Sequence, residues 1–168
     1  MTTLIGVNTA DTFTSAQLVE GKAFGVGDRH IDHDGFEWIF VLAGGAIPQS
    51  QVVTVLASCT AVNFSSAAVI GTTQAPFCYG ISASASIASG SYGWIMTRGR
   101  AKARVIASST GTLSGQLYAA PSAAGSGLVT VTASGSILLK GLYIIATATT
   151  STTASAVPVV FRNIETTT

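Results

Sequence analysis

The sequence predicts an all-β domain, a sandwich or barrel, with an extended N-terminal arm. Three observations predict it. Runs of branched and aromatic residues recur roughly every 10–15 residues, the spacing of short strands. Gly- and Ser-rich joints separate the runs. No strand pattern alternates with a long amphipathic helix pattern, which argues against βαβ units.

Residues 1–22 are polar and mixed, and form the expected arm. Within them, Thr14–Glu20 has the pattern of a short helix, with Ser15 as N-cap and Gly21 as stop. The alternative is that the whole segment is extended. Residues 23–165 read as a single β domain. Asp34-Gly35 is a hairpin bend leading into Phe36–Leu42, which ends at Gly44-Gly45. Gln51–Leu56 follows Pro48. Phe77–Ile81 is the third strand, Tyr92–Thr97 the fourth, ending at Gly99, and Arg100–Ile106 the fifth. Gln116–Ala119, Val129–Thr132, Ile137–Leu139, Leu142–Ala148 and Val157–Phe161 complete the set, with a small-residue stretch over 120–127. Pro158 cannot donate to a ladder, so it belongs at an edge or near a strand start. Residues 166–168 are expected to fray. Trp38, Phe40, Trp94 and Tyr143 are the expected core, the tryptophans because apolar residues flank each at strand period. Gly35–Val41 and Ser91–Thr97 share an aromatic-x-Trp-Ile pattern, which fits either a duplicated strand or chance.

Charge is distributed unusually. From Trp38 to Thr97 there is no Asp, Glu, Lys, Arg or His. Charged residues make up 9% of the chain, against about a quarter in ordinary soluble domains. Such a surface is solvated by Ser, Thr and Gln or is covered by other subunits. The second reading points to an assembled structural protein. Positive mean hydropathy comes from this missing charge, because no run reaches the roughly 18 apolar residues of a membrane helix. The net charge of +1 argues against nucleic acid as a partner. The first residues lack the basic and apolar regions of a signal peptide, so folding in a cytoplasm is expected. There Cys59 and Cys78, which lack metal-type spacing, are expected as two buried thiols rather than a disulfide.

Six of the seven acidic residues lie within the first 37 positions. Arg98, Arg100, Lys102 and Arg104 form a ladder at period two, which a strand projects from one face. Like charges so aligned repel, so the ladder is either mobile in solvent or neutralised by carboxylates on a partner or a neighbouring subunit. Phosphate or a sulfated sugar is a lesser alternative. The ladder is the candidate interface. Asp28-Arg-His30-Ile-Asp32-His33-Asp34 invites a metal reading, but its spacing fits neither a zinc nor a calcium signature, and a polar turn accounts for it. No serine stands in a nucleophile elbow and no two carboxylates are marked for acid–base work. The sequence therefore points to a non-enzyme with no cofactor and no metal. Ser82–Ser91 and Thr147–Ala156 read as flexible loops, or as places of close backbone approach.

Asp34–Val41, Ala43–Val53, Tyr79-Gly-Ile, Gly90–Ile95 and Gly99–Val105 together give the chain a resemblance in style and rhythm to the capsid decoration (cement) proteins of tailed phages. The resemblance covers roughly residues 24–106. It implies a small β-rich subunit, often a homotrimer, on the outer surface of an icosahedral capsid in the virion. It implies bridging of neighbouring major capsid proteins, and an arm lying along the shell, a role for residues 1–22. The basic ladder has no counterpart among the family's sites, so no binding residue is carried over. The alternative is a receptor- or glycan-binding head-fibre or tail protein, which requires exposed aromatics such as Trp38 or Trp94. A tail-tube or shell-building subunit and a bacterial adhesin module are more distant readings.

Overall fold

In the computed structural model, the structure describes residues 7–19, 24–64, 76–105, 111–119, 129–130, 137–150 and 155–161. A five-residue helix, α1 (Ser15–Val19), precedes the strands β1 (Arg29–Ile31), β2 (Glu37–Ala43), β3 (Val52–Leu56), β4 (Thr60–Asn63) and β5 (Pro76–Ile81). They are followed by β6 (Tyr92–Val105), β7 (Gly111–Ala119), β8 (Val129–Thr130), β9 (Ile137–Thr150) and β10 (Ser155–Phe161). The fold is all-β and barrel-like. The expected frayed tail and the 120–127 stretch lie outside the described residues.

The strand pairings form two rings that share β6. In the first, β2 runs parallel to β4, and β4–β3, β3–β5, β5–β6 and β6–β2 are antiparallel, which closes a barrel. In the second, β6 runs parallel to β8, and β8–β7, β7–β9, β9–β10 and β10–β6 are antiparallel. Connectivity is the same in both. The first strand of each ring meets its third in parallel and its fifth antiparallel, while the second meets the third and fourth. Strand β6 is the last of one ring and the first of the next. The first ring is a closed barrel, whereas the second is joined at β6–β8 by the single pair Val105–Val129.

Two strands expected as separate, Tyr92–Thr97 and Arg100–Ile106, are thus one strand ending at Val105. Gly99 was expected to end the first of them. It instead adopts φ 139°, just past a register shift opposite Glu37 and Trp38. The irregularity exchanges the faces of the strand instead of ending it. Before it, Ile95 lies inside the first ring, with Trp94 and Met96 outside. After it, Ala103 and Val105 are buried with Val157, Val159 and Leu142 of the second ring, and the cations take the opposite face. Likewise Lys140-Gly141 does not break β9, which joins two expected strands. Strands β1 and β4 carry little hydrophobic signal and are found only through their partners.

Inside the first ring pack Ile39, Val41, Ala43, Ile47, Val53, Val55, Ala61, Ile87 and Ile95. Its outer face on β2 and β6 is also buried. Trp38 faces Met96, and Phe40 faces Trp94. Phe13 joins this layer, with Val7, Leu18 and Phe24 packed against it. Phe13 also exchanges two backbone hydrogen bonds with Tyr92, at 2.8 and 2.7 Å. Both faces of β2 being covered explains its unbroken apolar run. Each aromatic buried this way contributes about 2–3 kcal/mol. The cover over this part of the charge-free stretch is the chain's own N-terminal segment, where the sequence suggested other subunits. The two similar Trp-Ile strands are antiparallel neighbours within one ring, not the same position in two rings.

The helix cap is Thr14, one residue before the expected Ser15. The Thr14 amide donates to Gln17 Oε1 at 2.8 Å and the Gln17 amide to Thr14 Oγ1 at 3.4 Å, a reciprocal capping box. Ser15 is the first helical residue. Pro158 pairs with Lys102, while the paired stretch between β10 and β9 runs only from Val159 to Phe161. Pro158 therefore stands where β10 is locally an edge.

Candidate functional site

The cationic ladder runs along the second half of β6. Arg100 and Lys102 are exposed and Arg104 is half-buried. Arg98 reaches Glu37 Oε1 at 3.0 Å, with its own side chain 57% exposed. A pair this open to solvent contributes well under 1 kcal/mol or so. Among the described residues, no carboxylate pairs with Arg100, Lys102 or Arg104. Their cross-strand neighbours on β10 are Val160, Pro158 and Ala156, none of them charged. The register thus builds a strip of three cations flanked by small apolar groups. The main-chain amide of Arg104 donates to the Ser50 carbonyl at 2.8 Å. Such a strip attracts carboxylates. The flanking β10 residues were not singled out from the sequence. Their signal was the alternation Ala156-Val-Pro158-Val-Val160, which became a site only once β10 paired with β6.

The acidic front does a different job. Asp32 Oδ1 accepts the amides of Asp34 and Phe36, each at 3.0 Å, and Oδ2 accepts the Trp38 indole N–H at 3.1 Å. Burial pushes the Asp32 carboxyl up, but the Trp38 bond, helped by the two amides, outweighs it and holds the group below its ordinary value. Asp28 closes the preceding turn by accepting the Gly25 amide at 2.7 Å. His33 and Asp34 meet at 3.2 Å on the surface, and His30 stands edge-on to Trp94 with ring centroids 6.1 Å apart. Among the described residues no three His, Cys, Asp or Glu groups converge on a metal-sized site. The Asp28–Asp34 motif shapes a hairpin.

A cleft of about 250 Å³ lies beside that hairpin, lined by Arg29, His30, Ile31, Glu37, Trp38 and Thr97. Trp38 is only 4% exposed and Trp94 3%, so neither offers a ring face to a sugar. Phe40 is fully buried. Tyr143, expected in the core, is half-buried, because β9 turns its neighbour Leu142 inward. Cys59 and Cys78 are free and half-buried, not fully buried as expected, since they pack at the margin of the first ring's core. Burial pushes the Cys78 thiol up to about 11. The Ser82–Ser91 loop is held closely. Ser82 Oγ donates to the Pro48 carbonyl at 2.6 Å and Ile87 forms a bridge with Ile47. Within Thr147–Ala156, residues 147–150 belong to β9 and 155–156 to β10, and 151–154 lie outside the described residues.

Neither a family model nor a curated protein matches this chain.

Proposed function

We propose that this protein is a structural virion protein that binds the outside of an icosahedral phage capsid and stabilises the shell by bridging major capsid proteins. The observation that carries the reading is the row Arg100, Lys102 and Arg104 along one face of β6, with no carboxylate paired to it among the described residues. A neighbour's carboxylates would remove the repulsion along β6 and fix the subunit's register on the shell. Binding only the assembled shell stabilises that state by mass action. A homotrimer would multiply the effect, because three weak contacts on one body act together. The resemblance to decoration proteins supports the same reading. The burial of both tryptophans weighs against the glycan- or receptor-binding alternative, which needs exposed rings.

The test is R100E/K102E against purified capsids. Loss of at least about tenfold in occupancy, with an unchanged thermal midpoint of the free protein, is the expected result. Unchanged occupancy overturns the ladder's role. Absence of the chain from the capsid surface in a cryo-EM reconstruction of native particles overturns the virion reading itself.

A further inference from the structure

The two rings carry the same face in two different states. In the first ring, the outer side of its first and last strands presents Trp38 and Phe40 on β2 opposite Met96 and Trp94 on β6. In the second ring, the corresponding strands are β6 and β10, and the corresponding outer positions are Arg100 and Lys102 opposite Val160 and Pro158. The inner positions match as well: Ile39 faces Ile95 in one, and Ala101 faces Val159 in the other. The first face is covered by the chain's own N-terminal segment. Phe13 adds a bridge to Tyr92, and Phe24 packs its ring 5.2 Å from that of Trp94. The second face has no such cover among the described residues, and it is cationic where the first is aromatic.

We propose that the outer face of β6 and β10 is the docking site of an extended acidic segment from a partner protein, seated on the second ring as the chain around Phe13 is seated on the first. Charge chooses the occupant. Arg100, Lys102 and Arg104 recur every second residue, so a partner strand with Asp or Glu at every second position places one carboxylate by each cation. Ala156, Pro158 and Val160 are small enough to leave room for that segment beside the cations. The proposal rests on the ladder being the partner-facing surface, and it specifies the shape and chemistry of what binds there.

The experiment titrates the full chain with a synthetic peptide alternating Glu and Thr around one Phe, and with its Lys-for-Glu counterpart. Backbone amide shifts report the site. The expected result is saturable binding of the acidic peptide, with shifts confined to residues 100–104 and 156–160. The affinity should weaken at least about tenfold in R100E/K102E and fall with added salt. The milder R100Q/K102Q should weaken it less, which separates lost charge from a damaged fold. Equal binding of the lysine peptide, or shifts elsewhere, overturns the proposal. A chain that already self-associates through the ladder, seen as a sedimentation coefficient that drops in R100E/K102E, gives the face to a second copy and also overturns it. If the peptide binds as described but purified capsids do not, the capsid reading fails and the segment site stands. If capsids bind through the ladder while the peptide moves no amide, the segment proposal fails and the capsid reading stands.

Discussion

The indole N–H of Trp38 donates to the carboxylate of Asp32 at 3.1 Å, tying the tip of the β1–β2 hairpin to the outer aromatic layer of the first ring. The same carboxylate accepts two backbone amides. One side chain therefore fixes both the turn and the orientation of a buried tryptophan.

Removing it should be felt more at neutral pH than in acid. D32A loses three hydrogen bonds to a charged group in a partly exposed site, at a cost of about 1–2 kcal/mol. Because the folded-state carboxyl lies below its ordinary value, its contribution is present above the unfolded value, near pH 4. It is lost as pH falls through the lower folded value. The gap between the thermal midpoints of wild type and D32A should narrow as pH falls from 7 toward 3. A constant gap across the range would show that Asp32 acts without its charge.

Gly99 is predicted to be intolerant of any side chain. Its φ of 139° is strained for other residues, and a Cβ there would stand 2.7 Å from Phe36 Cγ. G99A should cost about 2–3 kcal/mol. In a double-mutant cycle, F36A should recover the clash and leave the backbone strain. Chemical denaturation measures both. An unchanged G99A midpoint would mean that the face exchange in β6 needs no special backbone.

Phe13 should act as the latch of the N-terminal segment. It is 6% exposed and its ring lies 5.9 Å from that of Phe40. F13A should destabilise the chain by about 3 kcal/mol and move tryptophan emission to the red as Trp38 and Trp94 gain water. Unshifted emission would mean that the layer is held without Phe13.

Cys78 should alkylate slowly at neutral pH. With its thiol near 11, the thiolate fraction at pH 7 is about one in ten thousand. Its iodoacetamide rate, followed by mass spectrometry of the Cys78 peptide, should rise about tenfold per pH unit to roughly pH 10. A rate that levels off near pH 8 would contradict the effect of burial.

Much of the fold was legible because its signals are local. The apolar runs around Trp38, Val53, Cys78 and Trp94 mark strands through side-chain shape alone. Asp34-Gly35 marks the hairpin, and Gly35 indeed adopts a positive φ of 76°. Strands β1 and β4 escaped because three or four residues with one or two apolar groups carry no period to detect. The cap at Thr14 was misplaced by one residue because Thr and Ser are equivalent N-caps, and only the reciprocal bond to Gln17 separates them.

The sequence by itself determined that the chain is all-β, that Trp38, Phe40 and Trp94 are buried, and that Arg98, Arg100, Lys102 and Arg104 share one side of a strand. Only the tertiary structure decided that β6 serves two rings, that Val7, Phe13, Leu18 and Phe24 cover the tryptophan face, and that β10 flanks the cations. The physical reason lies in the period of two. It groups residues by face, but which face meets a core depends on how the strand is paired. The register shift before Gly99 exchanges the faces between one ring and the next.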